Sequence, residues 1–272
     1  MTSHAPSRET VLDHNARAWD RLAIGGAALA RPAVDEAFAD PAAWLASGAG
    51  GRRWLPESLA GLEVLCLAAG GGKHGPLYAA AGARVTVVDL SPAMLELDRQ
   101  VARERRVALD LVATSMDDLG MFGAGRFDLV VHPVSTCYLP DVTRLFTAIA
   151  RVTRPGGRYV SQHKSPASLQ AGLRPGSGGL YELTQPLDSP AALPAAEPSR
   201  LREPGTLEFA HSLDALLGGI CRAGFVIEDV HEPAHADAAA PPGAFGHRAR
   251  YLPPYLRILA RRGGSAGGIV VA

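Results

Sequence analysis

The chain has 272 residues, and its 27 Lys and Arg balance its 27 Asp and Glu, so the formal net charge is zero. Without an overall field there is nothing to gather a polyanion, which argues against nucleic acid or a membrane surface as partner and for a small-molecule acceptor. The length allows one α/β domain with insertions, or a domain with a small cap. Cys66, Cys137 and Cys221 stand far apart, with no C-x-x-C pair and no histidine at zinc-ligand spacing, so no metal site is expected and a reduced, cytoplasmic setting is the simplest expectation. The opening MTSHAPSRET lacks the apolar core of a signal peptide, and no uninterrupted apolar run is long enough to span a bilayer.

Residues 1–9 are expected to fray, and from Thr10 the pattern turns helical, with Val11, Leu12, Trp19, Leu22 and Ala23 on one side. His14, Asn15 and Trp19 share this segment. They either pack it down or give it a polar face that closes over a ligand. Residues 32–58 are rich in Ala, Pro and Gly and hold Trp44 and Trp54, the latter expected to pin the connector to a sheet. Residues 1–58 are thus expected to form an N-terminal helical cap and connector, and 59–272 the main domain.

Val64 to Leu67 is a near-continuous apolar run, as a parallel strand buried on both faces requires. Ala68 to Gly72 follow, where missing Cβ atoms permit positive φ and close approach of a ligand to backbone N–H groups. Pro76 suits the first turn of a helix and Gly82 its end, so the turn feeds a helix N-terminus that favours an anion. The next strand, Arg84 to Val88, ends at Asp89. An acid about 20 residues past a glycine turn is placed to accept from ribose hydroxyls. Gly70, Gly72 and Gly75 also satisfy G-x-G-x-x-G formally, so a dinucleotide remains open on spacing alone.

Pro92 to Arg106 reads as a helix capped by Ser91, and Val107 to Ala113 as the third strand. Phe127 to Val131 is the fourth, with His132 at its end and Ser135, Thr136, Cys137 and Tyr138 after it. A helix over Asp141–Thr153 then turns at Pro155-Gly156-Gly157 into a fifth strand, Arg158 to Gln162, which delivers His163 and Lys164 to the same edge. The Pro- and Gly-rich insertion at 165–205, with Tyr181, is expected to cover the acceptor like a lid. His211 to Ala223 is helical, and Phe225–Val230 and Tyr255–Ala260 are the last strands. The loop between them, 232–253, folds toward the acceptor or carries a homodimer contact. The closing GGSAGGIVVA has no assignable role.

Five segments in order resemble the class I S-adenosylmethionine-dependent methyltransferases: VLCLAAGGG, VTVVDLSPAML, TSMDDL, FDLVVHPVSTCYLPD and RVTRPGGRYV. The resemblance covers Leu62 to Val160. It implies a Rossmann-like α/β three-layer sandwich, a mostly parallel seven-stranded sheet with an antiparallel last strand, carrying an N-terminal helical cap and insertions. It further implies S-adenosyl-L-methionine as cofactor and S-adenosyl-L-homocysteine as product. Ala69, Gly70, Gly71, Gly72, Asp89, Leu90, Met94, Ser115, Met116, Asp117 and His132 would then bind the cofactor, with Asp89 on the ribose, Met94 over the adenine and Asp117 at the adenine amino group. Cys66 stands where members often carry an acid, which removes a carboxylate contact from the first strand. Around the acceptor the expectation gathers His14, Trp19, Ser135, Tyr138, His163 and Tyr181. His163 is the first and His132 the second candidate to take a proton from it. The Asp-Leu-Ser-Pro and Arg-Pro-Gly-Gly pieces fit a nicotinamide-dependent oxidoreductase poorly, and a non-catalytic nucleoside binder is the third alternative.

Overall fold

The computed structural model describes residues 6–48, 52–187, 189–195, 197 and 199–264; the first residues of the expected frayed segment and the tail from 265 lie outside them. Seven strands form one sheet: β1 (Glu63–Leu67), β2 (Arg84–Asp89), β3 (Leu109–Ala113), β4 (Phe127–His132), β5 (Thr153–Lys164), β6 (Phe225–His231) and β7 (Tyr255–Arg262). Their spatial order is β3-β2-β1-β4-β5-β7-β6. β1 to β5 pair in parallel, and β7 alone runs against its neighbours β5 and β6. This is the expected mostly parallel Rossmann-like sheet.

The helices are α1 (Arg8–Ile24), α2 (Pro41–Ser47), α3 (His74–Ala80), α4 (Pro92–Arg105), α5 (Thr143–Val152), α6 (Pro166–Gln170), α7 (Gly219–Arg222) and α8 (Phe245–Arg248). Alternation along β1 divides its apolar run between two cores. Leu65 and Leu67 join Phe127, Leu145, Phe146, Ile149 and Tyr159 on the α5 side. Val64 and Cys66 join Tyr78, Val87, Leu129 and Val131 on the α3 side. Cys66 is therefore core packing in a strand covered on both faces.

Several boundaries move for local reasons. α1 begins at Arg8, earlier than the expected Thr10, because Ser7 caps it by accepting from the Thr10 N–H at 3.2 Å. Arg106 leaves α4 in the left-handed region (φ 57°), which delays β3 to Leu109. Pro155-Gly156-Gly157 does not precede the fifth strand but bulges within it: Phe127 pairs with Thr153 and Leu129 with Arg158. The expected helix over 211–223 is a π turn at Asp214–Gly218 running into α7.

The two insertions lock to each other. Arg248 on α8 donates to Ser168 Oγ (2.6 Å) and to the carbonyls of Ser168 (2.6 Å), Ala171 (3.1 Å) and Gly172 (3.0 Å). Trp54 is 3% exposed and its indole N–H donates to Asp229 on β6 at 2.8 Å, fastening the connector to the sheet. No helix among the described residues is long and apolar enough to cross a membrane.

Candidate cofactor and acceptor site

β1 ends in a backbone reversal that begins before the glycines. Ala68 has φ 47°, a costly value for a residue with a Cβ, and its N–H is held by the Val88 carbonyl at 2.7 Å. The register Leu67↔Val88 brings Asp89 beside this bend. Asp89 Oδ2 accepts from the Gly70 N–H and Oδ1 from the Ser91 N–H, each at 2.9 Å. Burial pushes the Asp89 carboxyl up, and backbone N–H groups of Ser91, Gly70 and Leu90 partly offset this. A Cβ on Gly70 would sit 2.7 Å from Met94 Cβ and 2.9 Å from Asp89 Oδ2, so nothing larger fits without displacing the carboxylate.

Gly71 and Gly72, expected to offer their N–H groups to the ligand, direct them into the protein. Both have positive φ, 108° and 73°, but their N–H groups point at the fully buried Asp98 of α4, at 2.9 and 3.1 Å. Burial raises the Asp98 carboxyl to about 7, with nearby Asp89 adding to the rise and the two glycine N–H groups opposing it. Sequence reasoning missed Asp98. Its signal is an acid on an otherwise apolar helix face, between Leu95 and Val101. Gly75 is no phosphate contact: a Cβ there would meet Val87 Cγ2 at 2.5 Å, so this glycine lets α3 approach β2. The Gly70, Gly71 and Gly72 N–H groups, which a pyrophosphate would need, are already paired to carboxylates. The nicotinamide alternative loses its motif on that ground.

A cavity of about 710 Å³ opens at the carboxyl ends of β1 and β4, where the strand order reverses. Ligands of open α/β sheets bind at such switch points. Ala69, Gly70, Asp89, Leu90, Met94, Ser115, Met116 and His132 line one end of it, and Trp19, Ser135 and Tyr138 also line it. Trp19 meets Tyr138 edge to face, ring centroids 5.6 Å apart. Lys73 and His74 flank the glycine turn in the same wall, with Lys73 Nζ donating to the Leu29 carbonyl at 2.8 Å.

Asp117 is not in the wall. Arg8 donates to both of its oxygens, through Nε at 2.8 Å and through a second, shorter contact, and Ser115 Oγ donates at 2.5 Å. Burial would raise the Asp117 carboxyl, but these bonds hold it below the usual range. Asp117, expected at the adenine amino group, here ties α1 to the β3–β4 loop.

Three acceptor candidates also fall elsewhere. His163 is fully buried behind the wall, its ring nitrogens 3.0 Å from Thr136 Oγ1 and 2.9 Å from Ser161 Oγ. Desolvation, with His132 and His211 adding to it, holds the imidazole neutral, so it neither reaches the cavity nor stores a proton. His14 spends Nε2 on the Gly205 carbonyl at 2.8 Å, and it is Asn15 next to it that lines the cavity. Tyr181 packs on His247 and Tyr251, with its hydroxyl 3.0 Å from His247 Nδ1, because the two insertions pair with each other.

His132 does line the cavity, and its nitrogens bond Tyr159 OH (2.8 Å) and Ser135 Oγ (2.6 Å). Burial lowers its pKa to about 3, so it stays neutral. Asn15 donates to the carbonyls of Tyr138 (3.1 Å) and Leu207 (3.0 Å) and accepts from the Leu207 N–H (2.8 Å), tying α1 to the long insertion.

The insertion returns a carboxylate that no local pattern announces. Glu203 is in the cavity wall and its Oε2 accepts from Lys164 Nζ (2.5 Å) and Tyr138 OH (2.6 Å). Lys164 also binds Glu208 at 3.0 Å, and Arg202 lies 3.0 Å from the same carboxylate, so two cations and two anions close a buried cluster. The residues 39 positions apart that meet here, Lys164 and Glu203, are joined only by the folding of the insertion.

A parallel sheet of this order, a sharp turn after its first strand and an acid at the end of its second define a class I S-adenosylmethionine-dependent methyltransferase. The comparisons agree: the methyltransferase domain family matches residues 65–161. The chain is 36% identical over 182 residues to YbaJ of Bacillus subtilis (strain 168), which bears the description uncharacterized methyltransferase, covering 66% of this chain and 71% of that one. It is 36% identical over 113 residues to a ubiquinone biosynthesis O-methyltransferase of Xanthomonas oryzae pv. oryzae, covering 41% of this chain and 47% of that one. A crystal structure of an S-adenosylmethionine-dependent methyltransferase from Mesorhizobium loti superposes with a TM-score of 0.61 at 27% identity, over 80% of this chain and 97% of that one. The chain belongs to this methyltransferase family, and its cofactor is S-adenosylmethionine, with S-adenosylhomocysteine as product.

Proposed function

We propose that the protein methylates a small molecule at oxygen or nitrogen. The observation that carries this is one cavity of about 710 Å³ whose wall includes Asp89, Trp19 and Tyr138 and, besides them, Trp44, Leu45 and Trp54. Sites for small ligands span about 300–1,000 Å³. The match to an O-methyltransferase over 47% of that relative's length supports oxygen as the first choice.

The residues present fit the cofactor. Asp89, fixed by two backbone N–H groups, keeps lone pairs for the ribose hydroxyls. Met94 and Met116 supply apolar faces for the adenine, with Ser115 at its edge. Lys73 is the cation beside the glycine turn for the amino-acid carboxylate. Bound there, the cofactor supplies a sulfonium-activated methyl group.

The chain's part is to align and to keep water out. Holding reactants about 3–3.5 Å apart in line supplies several kcal/mol of the barrier. Residues 1–58, as a cap, and the 165–205 insertion, as a lid, roof the cavity through Asn15, Trp19 and Glu203. Neutral His132 orients Ser135 toward the acceptor. Glu203, whose carboxyl burial pushes up, replaces His163 as the group placed to take a proton from it. The free, buried or half-buried cysteines accord with a reducing, cytoplasmic setting.

The test is incubation of the purified protein with methyl-labelled donor and a fractionated cell extract. Label carried by a small molecule one methyl heavier supports the reading. Label confined to protein or nucleic acid, or none at all with cofactor binding intact, defeats it.

A further inference from the structure

The cavity wall carries a charge that methyl transfer alone does not need. Trp44 and Leu45 of α2, Trp54 and Leu55, and Val131 and Val160 of the sheet line the cavity. Arg257 of β7 also lines it, cross-strand from Gln162 of β5. Partial burial of its guanidinium lowers its pKa, a desolvation cost usually offset by a carboxylate.

Here the offsets are neutral oxygens. Arg257 Nε donates to Gln162 Oε1 at 2.5 Å and Nη1 donates to the Gly48 carbonyl. Among the described residues no carboxylate lies within ion-pair distance of Arg257 and none accepts from its Nη2. Glu203, also in the wall, is neutralised by Lys164. Asp229 of β6 is taken by Arg52 at 2.7 Å and by Trp54 at 2.8 Å. Arg257 and Arg200 both act to hold His235, another wall residue, in its neutral form, after its burial.

We infer that the acceptor is an apolar, ring-sized molecule bearing an acidic group, and that Arg257 receives that group while Trp44 and Trp54 cover the ring. The inference deepens the small-molecule methyltransferase reading and rests on it. Gln162 accepts from Nε and fixes that edge of the guanidinium. A planar fork in the wall of a largely apolar cavity selects a carboxylate or similar oxyanion over a neutral analogue of equal shape. It also fixes which end of the acceptor points toward Asp89 and Ser135, so Arg257 is a specificity residue and not a catalytic one.

The test is calorimetric titration of protein saturated with S-adenosylhomocysteine, using 1-naphthoate and its neutral counterpart 1-naphthamide. The expected result is naphthoate binding at least tenfold tighter than naphthamide. Arg257→Met is expected to abolish the preference, leaving naphthamide affinity within twofold, and Arg257→Lys to retain part of it. Equal affinities in the parent protein, no binding of the acid, or a preference that survives Arg257→Met overturns the inference. The assay reads binding alone, so its outcome is separate from whether any small acceptor is methylated. Unchanged S-adenosylhomocysteine affinity in Arg257→Met shows that the variant is folded.

Discussion

Asp89→Asn separates the carboxylate's two duties. In the parent protein its oxygens accept from the Gly70 and Ser91 N–H groups, both at 2.9 Å, and the proposal adds two ribose hydroxyls. Asparagine keeps the shape but has one accepting oxygen, so one N–H faces an NH2 group and goes unpaired. An unpaired buried donor costs about 1–3 kcal/mol, and a hydrogen bond to a charged group contributes about 1.5–3 kcal/mol. The variant should therefore lose about 1–3 kcal/mol of stability, a few degrees in Tm for a chain of this size. Its S-adenosylhomocysteine affinity should fall by roughly 10- to 100-fold, since about 1.4 kcal/mol is tenfold. Calorimetry gives the affinity and scanning calorimetry the stability. Ser91→Ala is the comparison, because it removes the α4 cap at Met94 (3.1 Å) and leaves the Asp89 oxygens in place. A folded Asp89→Asn protein that binds S-adenosylhomocysteine within twofold of the parent would refute the reasoning.

Asp98, raised from 3.8 to about 7, binds its proton more tightly in the folded state. Its contribution is full below about pH 4 and is lost as pH rises through about 7, by up to about 4 kcal/mol at 1.36 kcal/mol per unit. Asp98→Asn should flatten that slope, so the Tm advantage of the parent protein over the variant shrinks from pH 4 to pH 8; a constant difference counts against it. Lys164→Met strands Glu203 and Glu208, whose side chains are 7% and 0% exposed, and should cost about 3–5 kcal/mol in denaturant unfolding. Adding Glu203→Gln should recover part of the loss, and no recovery would mean the cluster is not a coupled unit. Asn15→Ala unpairs the Leu207 N–H and two carbonyls, so limited proteolysis within 165–208 should accelerate while the sheet core resists. An unchanged cleavage rate would show that Asn15 does not hold the insertion.

What could be read from the chain follows the range of the forces involved. The sheet was legible because β1, β2 and β4 carry their burial in consecutive apolar residues, and Asp89 because spacing along one β-α-β unit fixes it. His163, His14 and Tyr181 were misplaced because their surroundings come from segments far away in sequence. Thr136 and Ser161 enclose His163, Gly205 engages His14, and His247 engages Tyr181. Glu203 and Arg257 were missed for the same reason. Each is ordinary in its local sequence and becomes chemical only when a loop or the antiparallel strand carries it to the cavity. Lys73 is readable from its place directly after the glycines, where a cation stands beside the turn.

On the proposed placement of the cofactor, the two acids at the glycine turn act together. An open set of amides at the end of β1 would suit a pyrophosphate, and Asp98 closes it by binding the Gly71 and Gly72 N–H groups from below. Asp89 then faces the cavity with a second acid behind it, and the Asp89 charge adds to the rise in proton affinity that burial gives Asp98. A dianionic bridge would meet repulsion there, whereas a ligand with a cationic sulfonium and neutral sugar hydroxyls meets acceptors. Loss of the positive charge on conversion to S-adenosylhomocysteine weakens that attraction. On that proposed placement the pair favours the charged donor over its product, and Asp98→Asn should narrow the difference in affinity between the two, as calorimetry with each ligand would read.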